Sequence, residues 1–254
     1  MFMLRMTSAI ALTIAMAGTM AHADTKPAPK DIVIVHGALV DGLGWRAVYN
    51  ILTKDGFHVT IVEEPLTSLA EDVDATKRAI DQQTGLVVLV GHSYGGSAIT
   101  EAGADPKVSA LVYVAALQPD AGETSGQLLS KYAPPSDAMR ATTDRSTPDK
   151  FFYMLPAKFR EGYAADVPAK DAQFLADSQQ QLAEKAVAAP VSVAAWRTKP
   201  SYAILTTQDR AISPELQRWM YQRSGAKVTE VAASHAVFIS QPEVVARVIE
   251  AAAK

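Results

Sequence analysis

The chain has 254 residues, a formal net charge of −3 and no cysteine, and 48% of its residues are hydrophobic. The missing cysteines exclude disulfides, a thiol nucleophile and thiolate-bound zinc or iron–sulfur centres. A near-neutral charge without a basic cluster gives nucleic acid no electrostatic footing.

The first 23 residues read as a leader. Arg5 is followed by an apolar stretch from Met6 to Met20 and then by Ala21-His22-Ala23. That order matches a secretory signal with a small-residue cleavage site, which predicts a protein exported to a periplasm or the medium and beginning at Asp24. The apolar stretch is short for a membrane span and is interrupted by Thr7, Ser8, Thr13, Gly18 and Thr19, so no stable anchor is expected after cleavage. About 230 residues remain, enough for one large α/β domain with a buried core. Nothing in the sequence sets an oligomeric state.

A Pro/Lys linker precedes Ile32-Val33-Ile34-Val35, four β-branched residues in a row, as expected for a strand buried on both faces. A helix is predicted from Gly44 to Lys54 and a strand from Phe57 to Val62. Another helix follows from Asp72 to Gln83, then the apolar run Leu86 to Val90. Val108 to Ala115 is the next strand. Alternation of strands and helices at short spacing predicts a mostly parallel sheet with helices on both faces. The rhythm breaks between about residues 118 and 199, a proline-rich stretch read as a helical cap inserted after a core strand. It resumes with a strand from Ser201 to Thr206 and a helix from Pro214 to Arg223. The last strand is Lys227 to Val231, and a closing helix runs from Pro242 to Ala253.

The chemistry concentrates where the third strand ends in Gly91-His92-Ser93-Tyr94-Gly95-Gly96. This is the G-x-S-x-G pattern in its structural setting, a serine on a sharp strand-to-helix turn. A β-carbon at Gly91 or Gly95 would collide with neighbouring backbone. Ser93 is the candidate nucleophile and needs a base and an orienting acid. Of the histidines after the leader, His58 sits in a strand pattern, His92 should point away from Ser93 and pack, and His36 should brace the loop after the first strand. His235 follows the last strand, at the carboxyl edge where parallel α/β proteins place their sites, and is the candidate base. Asp209, on the loop after the Ser201 to Thr206 strand, is the candidate acid, although an Asp there could equally cap a helix or pair with Arg210. Asp120 is the reserve. Two backbone N–H groups should receive the developing oxyanion, one from Tyr94 and one from Ala38 in His36-Gly37-Ala38.

With these residues in place, the chain resembles the α/β-hydrolases, and more narrowly the branch of plant methylesterases and hydroxynitrile lyases. The resemblance rests on Val-His-Gly-Ala at 35–38 with Gly44-Trp45 downstream, and on Gly-His-Ser-Tyr-Gly-Gly at 91–96. It extends to Gln208-Asp209 followed by Pro214 to Met220, and to Ser234-His235 before Ser240-Gln241-Pro242. It covers nearly all of the chain after the leader, more loosely in the cap. The spacing of the Asp209 and His235 motifs matches that family. Hydroxynitrile lyases of the branch carry a lysine directly after the catalytic histidine and a threonine in the loop after the first strand. Here those positions are Ala236 and Gly37, so the resemblance implies ester hydrolysis and not cyanohydrin cleavage. Tyr94, larger than the residue often found after the nucleophile in plant members, is expected to narrow the pocket or add a hydroxyl.

The sequence therefore predicts a serine carboxylesterase for small or medium apolar esters, using Ser93, His235 and Asp209 without metal or cofactor. Lactone or amide hydrolysis, acyl transfer and carbon–carbon cleavage are alternatives on the same machinery, and a low-turnover ligand-binding homologue is the rival of another class. Phe151 to Met154, Trp196 and Phe238 are expected either to line the pocket or to pack cap against core.

Overall fold

The computed structural model describes residues 31–132 and 150–254, so the predicted leader lies outside the described residues. Six strands form one sheet: β1 (Asp31–Val35), β2 (His58–Val62), β3 (Val87–His92), β4 (Val108–Val114), and, after a long excursion, two that we number β7 (Ser201–Thr206) and β8 (Lys227–Val231). Their order is β2-β1-β3-β4-β7-β8, and every neighbouring pair is parallel. The α/β expectation holds, and among the described residues the central sheet is wholly parallel.

Alternation along the strands sends side chains to two separate cores. Ile32 and Ile34 of β1 and Val88 and Val90 of β3 face one side, where α1 (Arg46–Lys54) and the C-terminal helix α10 (Pro242–Ala252) cover them. Val33, Val35, Val87 and Leu89 face the other, against α2 (Leu69–Asp81), α3 (Gly95–Ala102) and α8 (Pro214–Ser224). Each fully buried Val, Ile or Leu contributes about 1.5–3 kcal/mol.

Between β4 and β7 the chain leaves the sheet. It forms α4 (Ser125–Lys131), the short antiparallel pair β5 (Phe151–Phe152) and β6 (Leu182–Ala183), α5 (Pro156–Gly162), α6 (Ala169–Asp177) and α7 (Glu184–Ala188). Phe159, Tyr163 and Leu175 of this excursion join the first core, and Leu128, Leu182 and Ala186 join the second. A four-residue helix, α9 (Val237–Ser240), follows β8. No helix among the described residues is long and apolar enough to cross a membrane.

One topological feature positions the site. From β1 the chain crosses to β2 on one side, and β3 then lies on the other side of β1, so the strand order reverses between β1 and β3. The loops leaving the carboxyl ends of β1 and β3 lead to helices on opposite faces, α1 and α3, and such a reversal is where open α/β sheets place their sites. Because the sheet is parallel, the loops after β7 and β8 emerge at the same edge.

Candidate active site

Ser93 follows β3 with φ +53°, a left-handed conformation that costs a non-glycine residue about 1–3 kcal/mol. Hydrogen bonds on both sides hold it there. Its N–H donates to the Val114 carbonyl at 3.3 Å, and its carbonyl accepts from Gly96 N–H at 3.1 Å and Leu117 N–H at 2.9 Å. The glycines around it are required by close approach. A β-carbon on Gly95 would lie 2.3 Å from the His36 carbonyl oxygen, and one on Gly91 would lie 2.8 Å from the Gly95 oxygen.

His235 Nε2 lies 2.8 Å from Ser93 Oγ, and its Nδ1 lies 2.8 Å from Asp209 Oδ2. All three side chains are buried, with His235 only 1% exposed and Ser93 8%. Nδ1–H donates to the carboxylate, leaving Nε2 free to accept the serine proton. Asp209 itself is held from every side. Its Oδ1 accepts the N–H groups of Ala211 at 2.8 Å and Ile212 at 2.9 Å, and its Oδ2 accepts Thr206 Oγ1–H at 2.7 Å and Gln217 Nε2–H at 2.9 Å. The turn-capping role thus coexists with the bond to His235, and the carboxylate bonds backbone amides and not Arg210.

The loop carrying His235 is pinned residue by residue. Asp166 accepts both the Ser234 N–H, at 3.0 Å, and the Ser234 hydroxyl. His92 Nε2–H donates to the His235 carbonyl at 3.1 Å, and the Ala236 N–H donates to the Tyr163 carbonyl at 3.1 Å. The Tyr163 ring stands edge-on to the imidazole, at 4.6 Å and 86°.

The remaining histidines take supporting places. His92 is fully buried, its ring 4.7 Å from that of His235, and burial holds its pKa well below the usual histidine value. It therefore packs as a neutral ring, donating through Nε2, while Nδ1 is buried without a partner among the described residues. His36 Nε2 accepts from Glu64 N–H at 3.0 Å, which leaves Nδ1–H to donate to the Gly37 carbonyl at 2.8 Å. Turning that carbonyl toward His36 turns the Ala38 N–H of the same trans peptide the opposite way. Gly37 passes so close to Ser93 that a β-carbon there would lie 2.6 Å from Ser93 Cβ. Among the described residues, neither the Ala38 nor the Tyr94 N–H has a hydrogen-bond acceptor, as open oxyanion donors require.

The expectations for Tyr94 and Asp120 need correction, while Trp196, Phe238 and His58 fall within the readings that the sequence left open. The Tyr94 side chain neither narrows a pocket nor offers a free hydroxyl, because its ring is buried against α2 and its O–H donates to Asp72 Oδ2 at 2.8 Å. Asp120 is far from the reserve role: it pairs with Arg197, whose hydrogen bonds hold its carboxyl below the usual range. Phe238 stacks on Trp45 at 4.7 Å, and Trp196 is buried with its Nε1–H on the Pro119 carbonyl at 2.7 Å, so both serve packing. His58 is largely exposed and bonds Asp31 at 3.1 Å. Sequence reasoning missed the roles of Thr206, Gln217, Tyr163 and Asp166. Only Gln217 left a signal, as a polar residue on the apolar stripe Leu216, Met220, Tyr221 of α8.

Residues 32–248 match the profile of the alpha/beta hydrolase family. The alpha/beta hydrolase nvfD of Aspergillus novofumigatus is 29% identical over 251 residues, covering 90% of this chain and 97% of that protein. Methylesterase 11 of the Arabidopsis thaliana chloroplast is 25% identical over 244 residues, covering 83% of this chain. The chain spans 60% of the length of that plant relative. The crystal structure of polyneuridine aldehyde esterase superposes with a TM-score of 0.76 at 19% identity, covering 89% of this chain and 100% of that one.

Proposed function

This chain belongs to the alpha/beta hydrolase family, and on that premise we propose that it is a serine esterase cleaving carboxylic esters of small to medium apolar substrates. The observation that carries the reading is the unbroken relay Ser93 Oγ to His235 Nε2 and His235 Nδ1 to Asp209 Oδ2, both steps 2.8 Å long. In the proposed reaction Ser93 Oγ attacks the ester carbonyl while His235 Nε2 takes its proton. Asp209 fixes the tautomer and stabilises the imidazolium. The Ala38 and Tyr94 N–H groups receive the oxyanion, each worth about 3 kcal/mol of barrier. His235 then protonates the leaving alcohol, and the acyl group stays on Ser93. A water that gives its proton to His235 attacks the acyl carbonyl, and as the acyl–Oγ bond breaks His235 returns that proton to Ser93, releasing the acid and restoring the free enzyme.

The plant relative bears the name methylesterase, which favours small alcohol leaving groups. The Tyr163 ring stands against His235, and Trp45 and Phe238 are fully buried beside His92. Such surroundings favour an uncharged substrate. The proposal extends to location: Arg5, the apolar stretch after it and Ala21-His22-Ala23 support a cleaved export signal over residues 1–23 and an enzyme that works outside the cytoplasm.

The test is a panel of p-nitrophenyl esters of graded acyl length, assayed with wild type and Ser93→Ala. The reading predicts turnover that peaks at short or medium chains and is lost in the variant. Turnover that persists in Ser93→Ala contradicts it.

A further inference from the structure

The excursion between β4 and β7 does more than cover the sheet edge: two of its side chains reach the loops that carry the reacting groups. Asp166 takes both donors of Ser234, directly before His235, and the Tyr163 carbonyl takes the N–H of Ala236, directly after it. Tyr163 also reaches the opposite loop. Its hydroxyl donates to the Ala38 carbonyl at 3.2 Å, and the N–H of the same peptide, that of Leu39, donates to the Gln180 carbonyl at 3.0 Å. Leu39 has φ +66°. A leucine in the left-handed region persists only where its surroundings over-determine it, and here both ends of the Ala38–Leu39 peptide are tied to the excursion. Tyr163 is fully buried and burial raises its pKa well above the usual value, so its hydroxyl remains a donor across the working range.

We infer that Tyr163 and Asp166 are positioning residues that set the oxyanion loop and the His235 loop in register from one short segment. Tyr163 acts on the Ala38 side through its hydroxyl and on the imidazole through its ring. Asp166 acts only on the His235 side. This rests on the serine-esterase reading, and the two parts of the clamp separate by experiment.

Initial rates on p-nitrophenyl butyrate, with urea midpoints to monitor folding, are measured for wild type, Tyr163→Phe, Asp166→Asn and Asp166→Ala. The Tyr163→Phe and Asp166→Ala substitutions are also made in the His235→Ala background. Tyr163→Phe and Asp166→Ala should each lower kcat roughly tenfold, as expected for sub-ångström displacement of reacting groups, with KM changed less than about twofold. Asp166→Asn, which keeps one acceptor oxygen, should fall between Asp166→Ala and wild type and stands in for Asp166→Ala if that variant does not fold. In the His235→Ala background the Asp166→Ala loss should vanish, because the group it positions is gone, while the Tyr163→Phe loss should remain. Unchanged kcat in both single variants overturns the clamp, as does an Asp166→Ala loss that persists without His235. A wild type that neither turns over the ester nor is acylated at Ser93 overturns the esterase reading, and the clamp with it.

Discussion

The bond between Ser93 and His235 lies in a nearly closed site, where His235 is 1% exposed, and a buried hydrogen bond between reacting groups is stronger than one in water. Asp209 has five donors and one of them is the imidazole. Asp209→Asn preserves the shape but replaces one carboxylate oxygen by an NH₂ donor, favouring the wrong tautomer of His235. We expect kcat on p-nitrophenyl butyrate to fall about 10³–10⁴-fold, with little change in KM. An effect below tenfold would mean that Asp209 only caps its turn. At this scale the sequence reveals Ser93, Asp209 and His235 because each has a local sign, a Gly-flanked turn or the end of a core strand. It hides Tyr163, Asp166 and Thr206, whose partners are brought close only by the tertiary fold. It also misleads on Tyr94, because a position beside a nucleophile does not say which way the side chain leaves the turn.

Among the elements, strands are the easiest to read. Ser201–Thr206 and Lys227–Val231 have the bounds that their β-branched and apolar patterns predict. Helix α2 begins at Leu69, three residues before the predicted Asp72, because Ser68 caps it by accepting the Glu71 N–H at 3.3 Å. Ser68→Ala should cost about 1 kcal/mol, read as a lower urea midpoint with an unchanged m value. Between α2 and β3 the sequence pattern runs on through polar residues, so the predicted end at Gln83 overshoots the observed end at Asp81. Helix α3 tests packing more sharply. A β-carbon on Gly96 would lie 2.0 Å from the Leu117 carbonyl oxygen, a backbone atom that cannot swing away. Gly96→Ala should therefore destabilise the protein by about 1–3 kcal/mol, and an unchanged urea midpoint would show that the loop after β4 yields freely. The excursion is the least legible part, since its short helices and two-residue strands gain their definition from contacts with neighbouring helices and with the loops at Leu39, Leu66 and Ser234.

Two buried groups, Glu64 and His92, contribute to the pH dependence of the whole molecule with opposite sign. Glu64 is 2% exposed, both its oxygens lack hydrogen-bond partners among the described residues, and burial, followed by the nearby Asp72, holds its carboxyl well above the usual glutamate value of about 4.5. Below that value both folded and unfolded chains are protonated. Above it the unfolded chain releases the proton and the folded one keeps it, so stability falls with rising pH, by at most about 1.4 kcal/mol per unit. His92 acts in the other direction: burial lowers its pKa well below 6.5, so stability falls as pH drops below 6.5 and the unfolded chain takes up the proton. Glu64→Gln should gain stability relative to wild type progressively as pH rises above 4.5. Urea unfolding at pH 4.5, 6 and 7.5 checks this, and parallel pH profiles for the two proteins would contradict it.

All of these scales converge on whether Ser93 is an activated nucleophile at the meeting point of the β1, β3, β7 and β8 loops. The most direct measurement is intact-protein and peptide mass spectrometry after brief exposure to a fluorophosphonate. The account predicts a single adduct on Ser93 in wild type, strongly slowed in His235→Ala and absent in Ser93→Ala. An unlabelled wild type, or an adduct that survives Ser93→Ala, would contradict it.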